Sequence, residues 1–188
     1  MRTKAITRAS CSSAIPSRAT TILKWKSVSL GKPSSPASPP SRFAADPVLL
    51  KEIELVLDGT KFDIIQFNNG MHGWQHSEAE YRKAFPRLVK TIRAHAPKAK
   101  LIWATTTPLR NGKDVTYDTK AEYSDERIAA RNAVAAEIMA AQKILTVDLN
   151  AAVRGHPEFH SDNVHFNGQG AQILAAQVCT AVEKLLPS

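Results

Sequence analysis

"FDIIQFNNGMHGW" (residues 62–74) joins two kinds of sequence. Phe62, Ile64, Ile65 and Phe67 make a short apolar run, which suits a strand covered on both faces. Asn68, Asn69 and Gly70 then end the run with small polar residues suited to a turn. The design recurs twice. "AKLIWATTT" (99–107) ends in threonines, and "KILTVDL" (143–149) runs into Asp148–Asn150.

Helical patterns separate these runs. "DPVLLKEIELVLDG" (46–59) offers Asp46 as an N-cap, Pro47 at the first helical position and Gly59 at the end. "SEAEYRKAFPRLVKTIRAHAP" (77–97) opens with Ser77 and Glu80 at capping-box spacing, and Pro86 predicts a kink or a restart. Residues 125–142 read as an Ala-rich helix and 168–186 as a closing helix. Alternating strands and helices predict a parallel sheet with helices on both faces, an α/β fold. Residues 108–124 are polar and long for a connection, so they are predicted as a functional loop. Ligands of such sheets bind at the carboxyl ends of the strands, where all three polar clusters fall.

The 188 residues suffice for one domain with a real core. No apolar run reaches the roughly 20 residues of a membrane span. Cys11 and Cys179 make neither a disulfide framework nor zinc-ligand spacing, and they fit a reducing compartment such as the cytoplasm. The net charge of +8 suggests nucleic acid until its distribution is read. Residues 1–45 hold eight basic residues and no acid, so residues 46–188 hold 17 of each sign. A formally neutral body indicates no basic face and no nucleic-acid partner.

The chain therefore divides into a basic, Ser- and Pro-rich segment over 1–45, expected to be disordered or non-native, and a domain over 46–188. Residues 1–45 also resemble a transit peptide in being Arg- and Ser-rich and acid-free, which would imply an organelle. Oligomeric state stays open.

Near the C-terminus, "SDNVHFNGQG" (161–170) sets Asp162 three residues before His165. A catalytic histidine needs a carboxylate to hold its tautomer and stabilise the imidazolium. The bland alternative is a solvated aspartate beside a helix-entry histidine. Asn68, Asn69 and Gly70 could present an amide and backbone N–H groups as an oxyanion hole, or could simply form a turn. His72 and His76, and likewise His156 and His160, lie four apart, but no HExxH motif is present and no metal or other cofactor is assigned.

Together these clusters resemble the SGNH (GDSL-type) hydrolases, serine esterases and acylhydrolases on a flavodoxin-like three-layer α/β/α sandwich. The resemblance covers about residues 46–188. "FDIIQFNNGMHGW" looks like the block carrying an oxyanion-hole Asn, here Asn68 or Asn69. "SDNVHFNGQG" looks like the last block, with Asp162 as the acid and His165 as the base. "AKLIWATTTPLR" and "ARNAVAAEIM" resemble segments between those blocks. The implied partner is a small-molecule ester, for which an acylated carbohydrate is one candidate.

The resemblance also calls for a strand ending in Gly-Asp-Ser near the N-terminus, whose Ser is the nucleophile. No Gly-Asp-Ser occurs in the chain, so no nucleophile can be assigned and the first strand is expected to be missing or disordered. A one-base displacement of the reading frame over "SCSSAIPSRATTILKWKSVSLGKP" (10–33) would account for this. Read so, Cys11 gives Leu, Val or Met, and TCN codons at Ser12 and Ser13 give aliphatics or Phe. Ala14, Ile15 and Pro16 permit Gly, Asp and Ser. Trp25–Lys26 can only give Glu. The chain as written is then an ester hydrolase without its nucleophile. The alternative is a non-catalytic small-molecule or carbohydrate-binding module on the same fold.

Overall fold

The computed structural model describes residues 42–115 and 122–186, with the backbone of two short strands, β1 (Lys4–Ala5) and β2 (Lys26–Ser27). The sheet is centred on β3 (Ile64–Phe67), β4 (Lys100–Ala104) and β7 (Leu145–Val147), which run parallel. β1 and β2 extend it in the order β2-β1-β3-β4-β7, and both of their pairings are antiparallel.

Strand alternation sorts the core into two layers. Ile65, Phe67, Leu101 and Trp103 face α1 (Pro47–Gly59), α2 (Glu78–His95) and α3 (Asp125–Ala141). Ile64, Ile102, Ala104 and Val147 face α5 (Gly168–Glu183), through Val178, Ala181 and Val182. The first layer also takes in Phe43 and Ala44, just ahead of α1. This is the three-layer α/β/α sandwich that the sequence implied.

The caps follow the sequence closely. The Asp46 side chain accepts from Val48 N at 2.8 Å, and Ser77 and Glu80 close a capping box. Pro86 neither stops nor restarts α2, which runs as one helix through it. A mid-helix proline costs about 3 kcal/mol. Phe85, Leu88, Val89 and Ile92 around it are fully buried, and four large apolar side chains at about 1.5–3 kcal/mol each offset that cost.

Two elements depart from the sequence reading. The stretch 108–124, expected as a loop, contains a small antiparallel pair, β5 (Lys113–Val115) with β6 (Glu122–Ser124). Asp148 caps a short helix, α4 (Leu149–Val153), directly after β7. Among the described residues, no helix is long and apolar enough to cross a membrane.

Candidate active site

Hydrogen bonds join the three strand ends. Asn68 Nδ2 donates to Ala104 O at 2.7 Å and to Thr106 Oγ1 at 2.9 Å, tying the end of β3 to that of β4. Asn68 Oδ1 accepts from Gly70 N at 3.1 Å and shapes the turn. The Thr105 hydroxyl donates to Asp148 and accepts from Asn150 N, linking β4 to β7. Asn132 of α3 clamps both backbone groups of Thr106, and Asn150 Nδ2 adds a second bond to Thr106 O.

The loop after β3 is held from the other side by Arg131. This arginine is 0% exposed. Its guanidinium donates to the carbonyls of Gly70, His72, Gly73 and His76 at 2.9–3.2 Å. It also pairs with Glu78 and lies 4.2 Å from the centre of the Trp74 ring. Arg127 reinforces it through Glu78 and the carbonyls of Trp74 and His76. Both arginines went unflagged in the sequence. The signal was available, since Arg131 sits three residues from Ile128 and from Val134, on the apolar stripe of α3.

Asp162 and His165 lie side by side in the loop before α5. Asp162 Oδ2 lies 2.8 Å from His165 Nδ1, and Oδ1 accepts from the backbone N–H of Val164 (2.8 Å) and His165 (2.7 Å). These bonds, the two backbone donors first, hold the Asp162 carboxyl down at about 2. With Nδ1 facing a carboxylate, the proton sits there and Nε2 is left as the basic nitrogen. Both side chains are open, His165 at 71% and Asp162 at 58% exposure.

The dyad loop is closed on itself and docked. Ser161 N donates to His165 O, His160 bridges Phe166, and the Asn167 side chain caps α5 through Gly170 N. Arg110 N and Asn111 N donate to Asn163. Val164 packs with Trp74, Leu109 and Ile128, which ties this loop to the one after β3.

The two asparagines differ. Asn68 is half-buried, with both amide N–H groups already bonded. Asn69 is 0% exposed and donates to Arg42 O at 3.3 Å. His72 and His76 do not act as a ligand pair. His76 stacks on Phe43 and faces Glu80, while burial, with the positive charge of Arg131 nearby, lowers His72 to about 4. His156 faces Glu158, and His160 is buried against Phe166. Among the described residues, no group of three or more His, Cys, Asp or Glu is placed to hold a metal ion.

The fold is thus a parallel three-layer sandwich with an Asp-x-x-His pair at its carboxyl edge. Residues 58–173 match the model of the GDSL-like lipase/acylhydrolase family, and the chain belongs to that family. Solved structures agree on the fold. A GDSL-like lipase from Bacteroides thetaiotaomicron is 20% identical with a TM-score of 0.62, covering 77% of this chain and 73% of its own. A carbohydrate esterase of family 3 from Talaromyces cellulolyticus is 21% identical with a TM-score of 0.59, covering 77% and 68%. An aryl esterase from M. smegmatis is 14% identical with a TM-score of 0.61, covering 77% and 75%. No curated protein matches the chain.

Proposed function

We propose that this domain is built to hydrolyse a small-molecule ester by acyl transfer, with His165 as base and Asp162 as its orienter. The 2.8 Å contact between Asp162 Oδ2 and His165 Nδ1, beside the joined strand ends, carries this reading. In the reaction a serine hydroxyl attacks the ester carbonyl. His165 Nε2 takes its proton and returns it to the leaving alcohol, and water then repeats the sequence to free the acid. Asn68 is the preferred oxyanion donor because it is accessible, whereas Asn69 is fully enclosed. Asn68 serves by exchanging its bond to the Thr106 hydroxyl for one to the developing oxyanion.

The serine belongs to the displaced reading of residues 10–33. Two features support this. The Asp162–His165 pair is strongly exposed, which leaves the imidazole open to a nucleophile. Among the described residues, the sheet beside β3 is extended by two-residue antiparallel strands. On this account residues 46–188 are the hydrolase domain and the chain as written has little or no esterase activity. The esters of acylated carbohydrates are one candidate class, by analogy with the family 3 carbohydrate esterase.

The test is hydrolysis of p-nitrophenyl acetate by the chain with its frame restored over those codons. Turnover should fall about 10⁴-fold in Asp162→Asn. A folded restored chain without turnover would refute the reading. A second reading, a non-catalytic binding module, is favoured by one observation: the chain contains no Gly-Asp-Ser. Robust binding of an acylated sugar by the chain as written, unchanged in His165→Ala, would support it.

A further inference from the structure

A second concave site lies beside the dyad loop. A cavity of about 220 Å³ opens between the loop after β4 and the segment that follows α4. Arg110, Asp125, Arg154, His156 and His160 line it, together with backbone and apolar atoms of their neighbours. The cavity is smaller than a drug-sized pocket and suits a group no larger than a monosaccharide.

Its polar groups are unevenly matched. His160 is 7% exposed, and its buried Nδ1 has no hydrogen-bond partner among the described residues. Arg154 directs Nε and one terminal nitrogen to Asn150 Oδ1, which leaves its other terminal nitrogen over. Arg110 is exposed, and its backbone N–H, not its guanidinium, holds Asn163. The one lining carboxylate, Asp125, has Oδ1 committed to Leu109 N at 2.8 Å. Two guanidinium groups against one carboxylate leave the lining net positive, with a buried ring nitrogen unmatched. His160 Nδ1 is closed to solvent, so an anion in the cavity acts on the ring through its charge while the guanidinium groups supply the hydrogen bonds. Guanidinium forks match carboxylate and phosphate oxygens.

We infer that this cavity is an anion-binding subsite, taking a carboxylate or phosphate group through Arg110 and Arg154, beside the ring of His160. Arg110 and Asn111 bond to Asn163, between Asp162 and His165, so the bound anion sits next to the dyad. Under the ester-hydrolase reading, on which this assignment as a substrate subsite rests, the favoured substrate carries an acidic group near its ester. The negative charge of Asp125 in the same lining disfavours a second anion, so the site takes one charged group.

The experiment is a titration of the isotope-labelled full chain with D-glucuronate, inorganic phosphate and D-glucose, followed by the imidazole ¹H–¹⁵N signals of His160. At least one anion should shift those signals saturably while glucose does not. Glucuronate alone acting identifies a carboxylate site, and phosphate alone a phosphate site. Arg110→Gln and Arg154→Gln should each weaken binding by about tenfold or more, the worth of one charge-assisted hydrogen bond. No saturable shift, an equal response to glucose, or unchanged affinity in a folded Arg110→Gln variant would overturn the inference. Binding needs no nucleophile, so its failure leaves the esterase reading standing, and failed hydrolysis with intact binding leaves the subsite standing.

Discussion

Replacing Arg131 by Met removes the staple of the loop after β3 while keeping side-chain bulk. Four backbone carbonyls accept from this guanidinium, and His76 O keeps a second donor in Arg127. The carbonyls of Gly70 and His72 lose this donor, whereas Gly73 O keeps the backbone N–H of His76 at 3.1 Å. Each buried acceptor left without a partner costs about 1–3 kcal/mol. Loss of the guanidinium above Trp74 adds about 1 kcal/mol. Against this, an apolar replacement avoids the desolvation of a buried charge, an offset of about 1–4 kcal/mol. Glu78 is not orphaned, because Arg127 still pairs with it at 2.8 Å. The net expectation is a loss of about 3 kcal/mol. Urea unfolding of the full chain measures it, and with m near 2 kcal/mol/M the midpoint falls by about 1.5 M at unchanged m. Hydrogen exchange adds a local readout, since amides of residues 70–76 should lose protection beyond the global change. Arg131→Lys should recover less than half, because an ammonium cannot span four carbonyls. A loss under about 0.5 kcal/mol in Arg131→Met, with exchange over 70–76 unchanged, would refute the reasoning.

Gly70→Ala should destabilise the fold by about 1–3 kcal/mol in thermal melts, because its Cβ would lie 1.9 Å from Thr106 Oγ1, the atom that Asn68 holds. The Asp162 carboxyl should titrate near 2 by carbon NMR, and His165→Ala should raise that midpoint by removing the side-chain bond. Since the folded value lies below the unfolded one of about 3.9, its contribution is present above pH 4 and is lost as pH falls through 2. His72 behaves oppositely in charge. It stays neutral in the fold down to about 4 while the unfolded chain takes up its proton near 6.5, so stability should rise with pH between those values. His72→Gln should flatten that slope in urea midpoints measured across the window.

The fold was legible where local chemistry and burial agree. Asp46–Pro47 and Ser77–Glu80 mark helix starts by their own hydrogen bonds, and runs such as Ile64–Phe67 are apolar because both faces are covered. Pro86 misled because proline is a local signal, and the packing of Phe85, Leu88 and Val89 is not local. β5 and β6 were hidden because a two-stranded pair outside the main core leaves no apolar run, as Lys113 and Glu122 show. The contact between Asp162 and His165 was readable because the two lie three residues apart. Arg131 was not, because its acceptors are carbonyls about sixty residues away, and a backbone carbonyl has no letter in a sequence. The subsite of Arg110, Arg154 and His160 was invisible for the same reason, since the cavity exists only once the segment after α4 packs beside β4.

The missing serine is tested most directly by the nucleotide sequence of the first 46 codons, read in all three frames. The displaced frame should run open through residues 10–33, with aliphatic codons leading into Gly-Asp-Ser over codons 14–16 and Glu at Trp25–Lys26. A stop codon in that stretch, or any other triplet in place of Gly-Asp-Ser, would contradict the displaced reading and leave a domain that holds an acid and a base with no nucleophile to serve.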